Sequence, residues 1–455
     1  MPRIRHAVAL CLALLAVLGL GASPVMAQSI LRDAETERLL ADMSAPLVKA
    51  AGLEPANVDV VLVNDRAVNA FVIGGQAVYL NSGLINEAST AGEVQGVIAH
   101  ELGHVTGGHA IFNPGAQSAT GITLLSLLLG AAAAVAGAGD AAMGVLMAGQ
   151  QAAMGKFLAY NRSQEASADA AGATYLSGAG ISGRGSIEFF KKLQNLEFRY
   201  GYQPSEADEF ARSHPMTGDR ITTLQDTYEK DPAWNRPGDP DIEKRFQRIK
   251  AKLFGYLARP EDTLQVYPPS NQSIPAHYAR AYAYHKEALL PQALGEADAL
   301  LAAEPDNPYF LELKGQILLE AGKPEEALPA LRKATGITGN EPLIATLFGH
   351  ALIASEDQAN FAEAERVLKA AVARDRRNPF AWYQLGVVYA ANGDMARAKL
   401  ATAEQQSLSG NMDRALISAQ AAEAELPQGS ADWLRAQDIA FAAQAELERR
   451  KKKNR

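Results

Sequence analysis

Apolar positions recur along this chain in three patterns. Near the start, Ala7 to Leu20 is an uncharged apolar run behind Arg3 and Arg5, broken by Ser23 and Pro24 and closed by Val25-Met26-Ala27. That order of positive, apolar and small residues predicts an export signal over 1–27, cleaved near Ala27. The run is short for a bilayer anchor. Further on, Val94, Val97, Ile98, Leu102 and Val105 fall at helical spacing and give one apolar stripe. Between these, Asn69 to Leu80 reads as a strand, a Gly74-Gly75 bend and a second strand. Residues 28–230 are therefore mixed α/β. The third pattern begins at 274 and is Ala- and Leu-rich throughout.

That last region repeats. Asn-Pro or Glu-Pro pairs precede apolar helical runs at Pro308, Pro342 and Pro379, spaced 34 and 37 residues apart. After Pro379, Trp382, Leu385, Gly386, Tyr389 and Ala398 reproduce the W-x₂-L-G-x₂-Y…A signature of the tetratricopeptide repeat. From Pro308 the same offsets give Leu311, Gly315, Leu318 and Ala327; from Pro342 they give Ala345, Phe348, Gly349 and Leu352. Ala364 comes three residues late, which places an insertion in the Ser355–Asn360 turn. A weaker unit precedes (277–303) and a degenerate one follows from Gly410 to Leu426. Stacked pairs of this kind form concave binding surfaces. The expected organisation is a signal (1–27), a mixed domain (28–230), a Pro-rich connecting segment with a short charged helix near 241–257 (231–273), a repeat domain (274–445) and a basic tail (446–455). A frayed, solvated helix end accounts for the tail, with an anionic lipid or acidic partner as the alternative.

Composition narrows the function classes. The chain has 455 residues, 48% hydrophobic and 21% charged, with formal charge −8. Loss of Arg3 and Arg5 with the signal takes this to −10. Nucleic-acid binders carry basic surfaces, so no nucleic-acid partner is expected. Cys11, inside the signal, is the one cysteine, which excludes a disulfide framework and cysteine-rich zinc sites. An exported, cysteine-free mature chain suits an oxidising compartment such as a bacterial periplasm.

The chemistry concentrates in His100-Glu101-Leu102-Gly103-His104. On a helix the two histidines project from one face, four residues apart, and can chelate a single ion. Glu101 is offset by one residue, so it reaches a water at the metal without binding the metal. Zinc held by two histidines needs a third protein ligand and an open position. With no cysteine available, Glu165 is the candidate. Asp169 shares its helix face, and only small residues, Ala166-Ser167-Ala168, lie between them, as though something packs close. Asp169 would then accept the N–H of a ligand histidine and fix its tautomer.

These residues, with Ser213-His214-Pro215 and Arg220 downstream, resemble the zinc metallopeptidases that include HtpX and the CAAX prenyl protease. The resemblance implies an α+β, mostly helical, zincin-like metalloprotease domain, here followed by an all-α tetratricopeptide-repeat solenoid. It implies one Zn²⁺ per chain on His100, His104 and Glu165, with Glu101 as general base. It also makes 69–80 an active-site edge strand that pairs with extended substrate. Three roles fit His214: donor to the oxyanion, fourth metal ligand that gates the site, or cap on a helix before Pro215. Arg220 either stabilises charge near the metal or binds Asp169. His109 is expected at the helix C-terminus, and His277, His285 and His350 in the repeats as surface or packing residues.

Exported members of this family with C-terminal repeats imply misassembled outer-membrane β-barrel proteins as substrates and the barrel-assembly machinery as partner. The expected function is therefore a periplasmic zinc endopeptidase of outer-membrane protein quality control. The alternative is a chaperone or scaffold whose repeats hold clients while the protease stays latent. One segment stands apart. Ala110–Gly139 carries no charge, nor does 141–155, and Gly121–Gly139 is long enough to cross a bilayer. Its Ala/Gly-rich second half favours a helical hairpin over the cleft. The stretch 110–155 is read as an apolar lid, with peripheral membrane contact as the alternative.

Overall fold

The computed structural model describes residues 29–73, 75–109, 122–127, 129, 139–200, 214 and 218–453. The expected signal, most of 110–138 and both neighbours of His214 lie outside them. The chain is α+β: a helical N-terminal unit built on one small sheet, then an all-α solenoid.

The sheet has the order β1-β2-β4-β3, from Ser29–Leu31 (β1), Val60–Asn64 (β2), Ala70–Val72 (β3) and Val78–Asn81 (β4). β3 and β4 form the hairpin expected at 69–80, antiparallel with Ala70 opposite Leu80 and Val72 opposite Val78. Gly75, with φ of 145°, supplies backbone freedom in the bend. β3 has one partner in the sheet and so is an edge strand.

Helices Ala34–Ala50 (α1), Ser82–Glu87 (α2), Ala91–Thr106 (α3), Gly139–Ala179 (α4), Arg184–Tyr200 (α5) and Gly218–Glu229 (α6) pack around the sheet. α3 is the centre. Thr90 caps it by accepting from Glu93 N, and Val94, Val97, Ile98 and Leu102 are buried completely. Glycines let its neighbours close in. A Cβ on Gly103 would lie 2.6 Å from the Ala168 carbonyl of α4, and one on Gly96 would lie 2.6 Å from Ser186 Cα of α5.

The charged helix expected near 241–257 is Pro240–Leu257 (α7), followed by Pro260–Val266 (α8). It is more than a connector. Phe246, Ile249 and Leu253 form a stripe buried in the N-terminal core, so that core extends beyond residue 230.

Five helix pairs then stack: Ile274–Lys286 (α9) with Leu290–Ala303 (α10), Pro308–Glu320 (α11) with Pro324–Ile337 (α12), Pro342–Ala354 (α13) with Phe361–Arg374 (α14), Pro379–Ala391 (α15) with Met395–Leu408 (α16), and Met412–Glu423 (α17) with Ala431–Lys453 (α18). Each Asn-Pro or Glu-Pro pair is a cap followed by a first-turn proline. Asn307, Glu341 and Asn378 each accept two backbone N–H groups. The repeat glycines are where paired helices touch: Gly315 on Leu331, Gly349 on Leu368, Gly386 on Ala401. The inserted residues form a short 3₁₀ turn, Gln358–Asn360. The basic tail continues α18, with Arg449 and Arg450 both pairing to Glu446.

The solenoid curls back onto the N-terminal unit. Tyr278 of α9, Leu311 of α11 and Ile344 of α13 all reach the first turn of α1. Three successive pairs thus contribute side chains to the surroundings of that turn. Buried Glu35 accepts from Arg248 Nε at 2.6 Å and from Tyr278 Oη at 2.8 Å, and Lys252 bridges to Asp33 at 2.5 Å. Arg32 bonds Asp375 at 3.1 Å.

Beside this network a cavity of about 290 Å³ is lined by Asp33, Lys252, Tyr256, Tyr282 and Glu312. Burial pushes the Glu312 carboxyl up to about 8; Lys252 opposes this, while Asp33, Glu341 and Glu35 add to it. A carboxyl raised above its unfolded value supports folding fully below that value, and the support is lost as pH rises towards 8. Glu312→Gln should therefore raise the thermal midpoint at pH 8, by the equivalent of on the order of 1–2 kcal/mol after screening by groove water. The gain should vanish near pH 4.5, where both side chains are neutral. Melting curves of the two proteins at the two pH values check this.

Candidate active site

Two helices and one further residue meet at a buried cluster. His100, His104, Glu165 and His214 each offer one donor atom, all within 4.8 Å of one another. α3 supplies the histidine pair at i and i+4. α4 supplies Glu165, and it can approach because Ala168 lies on Gly103 and Gly172 on the Ala99–His100 backbone. The small residues around Glu165 are thus the price of close helix contact.

The spacings suit a tetrahedral metal. His100 Nε2 lies 3.2 Å from His104 Nε2, 3.3 Å from His214 Nδ1 and 3.5 Å from Glu165 Oε2. His104 Nε2 lies 3.4 Å from Glu165 Oε1. Two donors about 2.0–2.1 Å from one tetrahedral ion stand roughly 3.3 Å apart. Electrostatics agree: Glu101, Glu165 and Asp169 converge here with Arg220. Burial works against a charged His100, yet Asp169 and Glu165 overcome it and hold its pKa at about 10. Burial would raise the Glu165 carboxyl, but His100, His104 and His214 hold it far below the usual carboxylate range. The donor set is therefore built to surround positive charge, and the residues fit a divalent metal.

Around these donors lies an orienting layer. Asp169 Oδ1 is 3.0 Å from His100 Nδ1. Arg220 grips Asp169 with two bonds of 2.8 and 2.9 Å and lies 3.2 Å from Glu165, so it contacts both carboxylates. His109 lies at the helix C-terminus as expected, its N–H on the His104 carbonyl, and its Nδ1 is also 2.9 Å from His104 Nδ1, the counterpart of Asp169 at His100. Gly108, with φ of 65°, turns the chain so that this ring folds back. A histidine just past a Gly-Gly pair was the signal available, and spacing alone does not reveal it.

Glu101 is buried, and its Oε1 has no hydrogen-bond partner among the described residues. Its closest ion-pair contact is His214 Nε2 at 3.7 Å. An acceptor left unsatisfied beside a metal cluster is chemically equipped to take a proton from water. His214 is buried, and its Nδ1 stands 3.0 Å from both Glu165 oxygens. It stands among the donors, four residues ahead of α6. His277 bonds Glu296, His285 bonds Glu320 and His350 packs on Phe380, all within the repeats. No described helix is long and apolar enough to cross a membrane.

Comparison with known proteins agrees with this arrangement. Residues 31–228 match the model of peptidase family M48, and residues 277–342 and 353–411 match a tetratricopeptide-repeat model. The chain is 26% identical over 379 residues to the beta-barrel assembly-enhancing protease of Escherichia coli (strain K12), spanning 81% of this chain and 75% of that protein. It is 28% identical over 294 residues to the putative beta-barrel assembly-enhancing protease of Vibrio cholerae serotype O1, spanning 63% and 59%. It is 30% identical over 190 residues to metalloprotease YcaL of Escherichia coli (strain K12), spanning 40% and 67%.

Proposed function

The chain belongs to peptidase family M48 and is a metalloprotease with C-terminal tetratricopeptide repeats, and from that premise we propose that it is a zinc endopeptidase of the bacterial periplasm acting on misassembled outer-membrane proteins. The observation that carries the chemistry is the buried Glu101 Oε1, without a hydrogen-bond partner among the described residues, beside the His100, His104 and Glu165 donors. The substrate class rests on similarity across both domains to proteins named for enhancing β-barrel assembly. The barrel-assembly machinery is the corresponding partner. Periplasmic location rests on the export signal read at 1–27.

His100, His104 and Glu165 would hold the ion, with Asp169 beside His100 and His109 bonded to His104 orienting the two imidazoles. Zinc, when bound, supplies a Lewis acid that makes water nucleophilic at neutral pH. Glu101 takes the proton of the attacking water and returns it to the leaving amine. Arg220 keeps Asp169 and Glu165 ionised and aimed. His214, with Nδ1 3.3 Å from His100 Nε2 and 3.0 Å from Glu165, would gate the site by competing with water for the ion.

That placement also favours a second reading, in which the repeats hold clients as a chaperone while the protease is latent. The test uses residues 28–455 with an unfolded outer-membrane barrel protein. Chelator-sensitive cleavage by the parent supports the endopeptidase. Cleavage only by His214→Ala supports the latched form. Zinc-loaded protein that cleaves in neither version overturns the protease assignment and leaves the chaperone.

A further inference from the structure

α4 runs without a break from Gly139 to Ala179, well past the end of α3. Its inner half packs on the metal-binding helix. Its outer half carries exposed apolar residues: Met143 at 60%, Met147 at 66%, Met154 at 56% and Leu158 at 44% exposure. Their register is informative. At 100° per residue, all four project within about 40° of the direction of Glu165. Met143, Met154 and Glu165 are spaced 11 apart, as are Met147, Leu158 and Asp169, which is close to three full turns. The face that presents the metal ligand therefore continues outward as an apolar stripe for roughly 33 Å, at 1.5 Å per residue.

The helix's other side is already used. Gly149 meets Ser126, and Ala153 is buried, about 120–160° away from the stripe. Among the described residues, the segment at 122–127 thus packs on the side of α4 away from the stripe.

We propose that Met143, Met147, Met154 and Leu158 form a docking track for the apolar side chains of an extended polypeptide entering the metal site. This deepens the proposed function and rests on it. Continuity with Glu165 directs the track towards cleavage rather than storage. Spacing selects the ligand: Met143/Met147 and Met154/Leu158 are each about 6 Å apart along the axis, close to the roughly 6.6 Å between same-face side chains of an extended strand. Chemistry agrees. Thioethers are soft and adaptable and accept varied apolar partners. Between Met143 and Glu165 the same arc holds only Gln151 and Asn161 besides, so it carries no charge. Between 143 and 165 Lys156 points the opposite way by helix register and Arg162 alone flanks the arc, about 60° from its centre, one cation where an anionic bilayer calls for a cluster. The fitting substrate is an uncharged extended segment with apolar residues at alternate positions, the pattern of a membrane β-strand.

The test reads binding without turnover. In the zinc-loaded Glu101→Gln protein, fluorescence anisotropy follows a labelled 12-residue peptide with Leu, Val and Phe at alternate positions, and a counterpart with Ser at those positions. Adding Met143→Gln, Met147→Gln, Met154→Gln and Leu158→Gln together should weaken the apolar peptide by about tenfold, roughly one decade of Kd, and leave the Ser counterpart unchanged. Equal affinity before and after the four substitutions overturns the track. So does stripe-dependent co-sedimentation with phosphatidylglycerol vesicles, or stripe-dependent dimerisation, with peptide binding unaltered. Should the fourfold variant unfold by circular dichroism, a photo-crosslinking residue at position 147 decides: crosslinks to the apolar peptide uphold the track, and their absence overturns it. Because no cleavage is measured, a chain that binds here yet cleaves nothing would sink the endopeptidase reading alone.

Discussion

Glu101→Gln is expected to bind zinc like the parent and to hydrolyse peptide bonds about a thousandfold more slowly or worse. The carboxylate stands outside the four-donor cluster, so its loss removes no ligand. It is buried, and its Oε1 has no hydrogen-bond partner among the described residues, so the amide fits the same space and keeps its polarity. What the amide lacks is a basic lone pair at neutral pH. Metal analysis of the purified variant, beside turnover on an unfolded barrel protein, separates the two functions. Zinc loading equal to the parent with near-normal turnover would remove Glu101 from the role of base.

Gly103→Val should be nearly as damaging by another route. The added Cβ would meet the Ala168 carbonyl at 2.6 Å and its Cα at 2.7 Å, both backbone atoms that cannot rotate away. α3 and α4 must separate, and overpacking of this kind costs about 1–3 kcal/mol or more. The same shift draws Glu165 away from His100 and His104. The expected variant therefore melts lower and holds zinc more weakly. Gly155→Ala is the control: nothing lies within 4 Å of its Cβ, and replacing a helical glycine should stabilise by about 0.5–1 kcal/mol. Denaturation and zinc titration of both proteins check the pair. A Gly103→Val protein with parental zinc affinity would show that the helix contact does not position Glu165.

The difference between these two glycines was half visible in the sequence. The small residues beside Glu165 announced a close contact, because a carboxylate on one helix reaches a histidine on another only if the backbones touch. The His-Glu pentad was legible for a similar reason: helix geometry alone brings i and i+4 together. So was the solenoid, since a stacked unit must repeat its cap, glycine and apolar positions. What escaped was contact without a period. Nothing in α7 marks Phe246, Ile249 and Leu253 as facing the earlier core rather than the repeats. Nothing near Glu35 tells that its partners are Arg248 and Tyr278. His109 reaches His104 through a chain reversal at Gly108 that helix spacing does not describe.

The buried Glu35 also sets an order of events. Its Tyr278 partner lies 243 residues downstream, and the apolar contact of Ala34 with Ile344 spans still more chain. A polypeptide that emerges N-terminus first thus exposes His100 and Glu165 long before the first turn of α1 finds its cover. Until then a carboxylate destined for burial remains in water, although the rest of its helix already has apolar partners for Leu39, Met43 and Leu47. The first turn of α1 is thus the last part of the N-terminal unit to acquire its partners, and it acquires them from the repeats.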